Sequence, residues 1–337
     1  MTTFPLPLTE LLGQYGAYFV YLLVGVAFGA TLESAGFGNS KKLAAQFYFR
    51  DLTVFKVMFT AIIVAMTLIF LTSALGLLDY NLIWVPPTYL WPGIVGGLIM
   101  GAGFIVGGFC PGTSLVAMAT GKVDGVFFVL GALVGIFLFG ETVSQFAVFF
   151  ESSFMGRFTL PELFGVSYGT VVLAVVVIAL LLFGGAEKIE AAVGGETAQG
   201  APRHALPAAV SLAALAVVVF ALGQPTNADR WEMIAEEQGA LLEQRAVQIE
   251  PAELLSLVHD SRIKTVMLDV RDERHYNQFH IHDAHHVALG NLEALSEKLM
   301  QEPANTVFVT MSNDEARASE AWKILRAESL PNVYILE

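Results

Sequence analysis

Cysteine is almost missing: Cys110 is the only one in 337 residues. That excludes a disulfide framework and a multi-cysteine zinc site within one chain. Charge is scarce as well. Only 15% of the residues are Asp, Glu, Lys or Arg, against about 25% in an ordinary soluble protein. Basic residues are the scarcer sign, 18 against 31 acidic, for a net charge of −13. A nucleic-acid binder needs a basic face, so no nucleic-acid partner is expected. No P-loop pattern is present, so any ATP coupling would need another chain. What is abundant is apolar: 55% of residues are hydrophobic, and mean hydropathy is +0.62.

The charge is unevenly spread. Residues 1–224 hold 8 basic and 11 acidic residues, and residues 225–337 hold 10 and 20. The first region reads as membrane-embedded and the second as a soluble acidic domain. A spanning helix needs about 20 mostly apolar residues. Six candidates occur, roughly at 15–33, 54–78, 88–109, 124–148, 167–184 and 205–223. The start, MTTFPLPLTELLGQYG, has neither a basic n-region nor an A-x-A site, so the first span is not expected to be a cleaved signal peptide. A Gly/Ala/Glu stretch at 186–204 reads as a linker, with an additional span at 205–224 after it.

Lys41, Lys42, Arg50, Lys56, Lys122, Lys188 and Arg203 fall in one set of alternate loops, and the opposite set holds only Arg157. Positive residues favour the cytoplasm. The bias therefore places the Lys41 loop inside a bacterial inner (cytoplasmic) membrane. Six crossings then put both termini outside. This depends on parity, since a re-entrant third or fourth span would move the C-terminal domain to the cytoplasm.

The third span ends in an unusual run. Gly93, Gly97 and Gly101 recur every four residues, as do Gly103 and Gly107. Small residues at that spacing allow close helix packing. Then comes Gly107-Gly108-Phe109-Cys110-Pro111-Gly112-Thr113-Ser114. Proline cannot continue a helix from its N-terminal side but suits the first position of a new one. The run thus predicts a helix broken or re-entrant at Cys110–Pro111, tolerated at membrane depth where it lines a cavity. The amides of Gly112, Thr113 and Ser114 would face an anion at the new N-terminus. Cys110, a soft and weakly donating thiol, would suit a sulfur-bearing one. The plainer reading is a buried structural cysteine. Glu33 and Glu141, at the ends of or within spans, are candidate proton-coupling groups, or simply interfacial.

The run GGFCPGTS, followed by Gly121-Lys122-Val123-Asp124-Gly125, resembles the cysteine motif of the YeeE/YedE membrane proteins. So does GVAFGATLESAGFGNSKKLAAQFYFRDLTVFKVMFTA. The better-known members take up thiosulfate, so the resemblance implies a sulfur transporter over residues 1–185. Two departures stand out. The family usually places a cysteine after an aromatic residue where Phe37 is followed here by Gly38. Its full-length members carry two repeats and a relay of pore cysteines, and this chain has one repeat. A homodimer would restore two, so a homo-oligomer is expected.

Residues 225–246 read as a connecting helix. From 247 to 337, helices alternate with apolar strands at Thr265–Val270, Thr306–Met311 and Asn332–Leu336, which predicts a small parallel α/β domain. Leu268-Asp269-Val270-Arg271, with Tyr276, His280-Ile281 and Ala284, resembles the rhodanese signature, with Phe279 and Asp283 in place of two glycines. A rhodanese would normally add Gly-Gly and a last helix after Leu336-Glu337, so a trimmed domain or a longer chain is expected. The resemblance puts the catalytic cysteine at the start of the loop Ser312-Asn313-Asp314-Glu315-Ala316-Arg317. Arg317 is in register, but Ser312 replaces the thiol. A serine without an activating base is no substitute for a thiolate, and Asp314 and Glu315 oppose an anion. No sulfurtransferase turnover, and no enzyme, is therefore expected from Ser312, Arg317, Asp269 and Arg271. A docking or regulatory role, with a sulfur carrier or another protein as partner, is expected instead. His275, His280, His282, His285 and His286 cluster, but no closed metal site and no cofactor are expected. Two readings stay open: a thiosulfate-type transporter working through Cys110, and a membrane-anchored interaction subunit without transport.

Overall fold

The structure is a computed structural model and describes residues 4–193 and 205–337. Among the described residues, six helices are long and apolar enough to cross a membrane. They are α1 (Leu8–Ser34), α3 (Thr53–Ala74), a broken pair α4 (Leu90–Gly107) and α5 (Pro111–Ala119), α6 (Val123–Thr142) continuing to Phe150, α9 (Tyr168–Val193) and α10 (Ala205–Leu222). Short helices α2 (Ser40–Ala45), α7 (Ala147–Phe150) and α8 (Leu160–Phe164) lie in or beside the connections. The helices start and stop where the sequence offers caps. The Asp51 carboxylate accepts the Thr53 amide at 2.9 Å at the start of α3. Gly36 and Gly108, with φ of +81° and +72°, end α1 and α4 in the left-handed conformation that glycine adopts freely. The expected linker begins inside α9, which runs on to Val193, and its residues 194–204 lie outside the described residues.

Residues 6–71 and 87–223 form one compact unit. Two apolar clusters organise it. Ile63 of α3 meets Val172, Val176 and Ala179 of α9 and Ala216 and Val219 of α10. Gly169 makes this approach possible, since a Cβ there would lie 2.9 Å from the Phe220 Cα. The second cluster joins Phe37, Leu43, Val54, Phe109 and Ala117. A partly buried ion pair, Lys56–Glu190, ties the start of α3 to the end of α9, and the Glu190 carboxylate also accepts the Leu52 amide. Apart from Gly107, the glycine stripe of α4 does not pack against the described residues. A Cβ at Gly93, Gly97, Gly101 or Gly103 would meet nothing within 4 Å.

The second unit comprises Phe4–Pro5, Thr72–Pro86 and Gln224–Glu337. Its centre is a parallel sheet of β1 (Gln248–Ile249), β2 (Lys264–Asp269), β3 (His285–His286), β4 (Thr306–Met311) and β5 (Val333–Leu336), in the order β1-β5-β4-β2-β3. The register of β2 on β4 runs from Lys264↔Thr306 to Asp269↔Met311. Helices α12 (Pro251–His259), α13 (Glu273–Gln278), α14 (Leu292–Leu299) and α15 (Glu315–Ala327) connect the strands. Both sheet faces are covered, as parallel sheets require. One core holds Leu268, Phe308, Trp322, Leu325 and Ile335, and the other Ile249, Met267, Val309 and Met311. The expected connecting helix is α11 (Asn227–Glu243). It is integral to the domain's packing: Trp231 meets Trp322 edge-on with centroids 6.0 Å apart.

Candidate functional site

The break in the third span is built by three residues. Gly108 ends α4, its amide donating to the Phe104 carbonyl at 2.8 Å. A side chain at 108 would be strained by its φ and would press within 3.0 Å of Ser40. Cys110 is extended (φ −93°, ψ 167°) and serves as N-cap of α5, with Pro111 in the first turn. The Thr113 amide donates to Cys110 Sγ at 3.5 Å, and the Cys110 amide donates to Thr113 Oγ1 at 3.0 Å. Sγ and Oγ1 are 3.2 Å apart. The Ser114 amide donates to the Cys110 carbonyl at 3.0 Å, and the Ser114 hydroxyl to the Pro111 carbonyl at 2.8 Å. Two of the three amides anticipated for an anion are therefore already engaged, which leaves that of Gly112.

Around the break, Phe109 is buried and meets Phe128 edge-on at 5.8 Å. Gly107 admits that ring, since a Cβ there would sit 2.5 Å from Phe128. Gly125 has the same role at the start of α6, where its missing side chain lets the Ala117–Met118 backbone approach. Thr113 and Ser114 are buried, whereas Cys110 is half-buried. A groove of about 560 Å³ runs between α1 and α5, lined by Gly25, Phe28, Gly29, Glu33, Gly112 and Val116 among others. Gly112 lies two residues from the thiol, and Glu33 reaches Lys122 at 3.5 Å. The sequence points to Glu33 but not to its partner. The only signal for the pairing is the lysine within the Gly121–Gly125 motif.

In the α/β domain, Arg271 is locked. Its guanidinium donates to both Asp269 oxygens, to Asn313 Oδ1 at 3.1 Å and to the Phe279 carbonyl at 2.6 Å. The Asp269 hydrogen bonds raise the Arg271 pKa above its ordinary value. Ser312 follows β4 and lines a cavity of about 210 Å³ with Asp269, Arg271, Phe279, Met311 and Asn313. The start of α15 is occupied by its own Asp314, whose carboxylate accepts the Ala316 amide at 3.1 Å. Arg317 points to Asp272 instead, at 2.8 Å. Three of the five clustered histidines make local contacts. His280 stacks on Tyr276 at 4.0 Å, His286 Nε2 meets the Arg271 carbonyl, and His282 pairs with Asp283. Among the described residues no group of three or more His, Cys, Asp and Glu could hold a metal ion.

The family profile for sulphur transport matches residues 34–246, more than half of the chain. The chain belongs to the sulphur transport family. A rhodanese-like domain profile matches residues 250–337. Neither a curated protein nor a solved structure matches the chain. The family match covers the broken span, the α5 wall of the groove and α11, while the α1 wall, residues 25–33, precedes it. The sulphur transport assignment and the six apolar helices together make this a multi-pass membrane protein with a rhodanese-like α/β domain.

Proposed function

We propose that the protein moves thiosulfate or a related sulfur-bearing anion across the bacterial inner membrane, with Cys110 as the thiol that contacts the substrate. The observation that carries this is the break at Cys110: a thiol held at a helix start beside an open groove, in a sulphur transport family member. Gly107, Gly108 and Pro111 shape the break, Thr113 and Ser114 fix the thiol's loop, and the Gly112 amide faces the anion. The substrate enters from outside and leaves toward Lys41 and Lys42. Two copies supply two repeats and two Cys110 thiols. The open glycine face of α4 leaves room for such a neighbour.

The rhodanese-like domain lies on the extracytoplasmic side and docks or regulates rather than transferring sulfur. Ser312 stands where a thiol is needed, and Asp314 fills the helix start that would hold an anion. Parity supports a common side for Phe4, Thr72–Pro86 and Gln224–Glu337, which belong to one compact unit. Two crossings separate the first pair and four the second, provided α4–α5 crosses once. The scarcity of Lys and Arg in the short outer loops, where only Arg157 falls, fits the same assignment.

The test is uptake of labelled thiosulfate by cells lacking their own importers, comparing wild type with Cys110→Ala at equal membrane levels. Uptake lost in the variant supports the thiol contact. Unchanged uptake keeps the transporter and discards the role of Cys110. No uptake by the wild type favours the membrane-anchored interaction subunit.

A further inference from the structure

Two ion pairs tie helices together in the membrane unit, and they are built differently. In Lys56–Glu190 both carboxylate oxygens are used, one by the lysine and one by the Leu52 amide, and the acid is buried. That is a staple. In Lys122–Glu33 a single contact spans 3.5 Å, and both side chains are more than a third exposed. The second oxygen, Glu33 Oε2, is buried without a hydrogen-bond partner among the described residues. A long, single, half-exposed pair is weak and easily exchanged. An orphaned carboxylate oxygen is also a cost that a better partner would relieve.

The acid of the pair lines the groove, and Lys122 stands behind it at 3.5 Å. Glu33, in the last turn of α1, lines the groove shared with Gly112 at the start of α5. Lys122 immediately precedes α6 and closes the turn after α5. The backbone of Gly38 wraps the two ends: a Cβ there would lie 2.5 Å from Glu33 Oε2 and 2.7 Å from Lys122 Nζ. The charged pair therefore fills the space that a side chain at position 38 would take.

We infer that Lys122 is a substrate-recognising station beyond Cys110, occupied by Glu33 until the sulfur anion displaces the carboxylate. The inference rests on the transport reading above. An ammonium offers three donors to the oxygens of an oxyanion. The resident carboxylate keeps that charge from trapping the anion, so binding and release are both quick. Removing either partner then changes affinity in opposite directions. Glu33→Gln leaves Lys122 uncompensated, and the anion is held more tightly. Lys122→Gln leaves a lone carboxylate that repels it.

The experiment uses the full chain in proteoliposomes with ³⁵S-labelled thiosulfate as the probe, measuring KM and maximal rate at equal reconstituted protein. Glu33→Gln is expected to lower KM about three- to fivefold and to slow the maximal rate. Lys122→Gln is expected to raise KM by about the same factor, the range of a half-exposed ion pair. Lys122→Arg keeps the charge and stays near wild type. A merely structural pair would reduce the amount of folded protein in both variants and leave KM where it was. KM unmoved in both, or moved the same way in both, overturns the station while wild-type uptake keeps the transporter. Wild-type vesicles that take up no thiosulfate remove the transport reading itself, and the station with it.

Discussion

Glu328, at the C-terminal end of α15, is the best single point at which to loosen the soluble unit. The residue is buried. Its carboxylate accepts Asn81 Nδ2 and Asn227 Nδ2, each at 2.8 Å, and the Arg230 guanidinium. Beside it, the Ser329 hydroxyl donates to Asp79. These bonds hold the loop after α3 against α11 and α15. Glu328→Ala removes three charge-assisted bonds and leaves Arg230 without its counter-ion. Hydrogen bonds to a charged group contribute about 1.5–3 kcal/mol each. The sum is too large, because Arg230 is 28% exposed and rehydrates. We expect about 3 kcal/mol, at the lower end for breaking a buried pair. Concentrated on the loop, that raises its local opening about 150-fold. Backbone bonds between Phe4 and the Leu77–Asp79 segment remain, so the loop does not detach entirely. The assay is amide hydrogen exchange on the full chain in nanodiscs. Peptides covering 77–82 and 324–330 should exchange faster in Glu328→Ala, with β2 and β4 unchanged and Glu328→Gln intermediate. Unchanged exchange in the loop would refute the role given to the carboxylate. A rise spread evenly over the sheet would show that the whole domain, not the clasp, had been weakened.

Two further outcomes are expected in the same domain. In a Cys110→Ala background, Ser312→Cys alone should give no measurable sulfur transfer from thiosulfate to cyanide. The exposed Asp314 carboxylate disfavours the new thiolate by about 1 kcal/mol, roughly fivefold, and also occupies the helix start. Adding Asp314→Gly should raise the rate, and equal rates in the two variants would remove Asp314 from the explanation. Asp260 should titrate at about 2, because the Arg262 side chain and amide hydrogen-bond its carboxylate. Since the folded value lies below the unfolded one, any stability it contributes is present above about pH 4 and is lost as pH falls toward 2. Carbon-detected NMR of the carboxyl should show that midpoint, and Arg262→Ala should return it to the ordinary aspartate range.

Much of this architecture was legible in the sequence, for reasons that are local. Long apolar runs gave the six spans. Pro111 after Gly107-Gly108 marked the helix break, because proline's missing donor and glycine's free φ act on their own few residues. The strands β2, β4 and β5 announced themselves as apolar runs between helices. What stayed hidden depends on contacts distant in sequence or too short to have a period. The two-residue strands β1 and β3 join the sheet only through their neighbours, so three strands were expected and five are present. The extra reach of α9 comes from Lys56 and Leu52 taking up Glu190, more than 130 residues away. Asp79 and Asn81 read as ordinary loop polarity until α15 supplies Glu328 and Ser329, about 250 residues on. The amides of Thr113 and Ser114 looked free because their acceptors, the thiol and the carbonyl of Cys110, act only once the turn has formed.

The surroundings of the absent thiols bear on how sulfur is handled. Two positions where the family resemblances call for a thiol, 38 and 312, lack one. In each case charged groups fill the surroundings: Glu33 and Lys122 at the first, Asp314 and Arg271 near the second. One thiol remains per chain, and one thiol cannot pass sulfur to a second within the same chain. Exchange between thiols needs an attacking thiolate and a bound partner sulfur. On the transport reading, Cys110 then acts either by non-covalent contact or together with the thiol of another copy. Its geometry suits the first. Sγ serves as helix cap for Thr113, with Pro111 fixing the turn beside it, so the thiol is held in place by bonds that a passing anion can borrow but does not need to break. A chain built this way would recognise sulfur by contact at Cys110 and charge at Lys122, and would leave the chemistry of sulfur transfer to a partner.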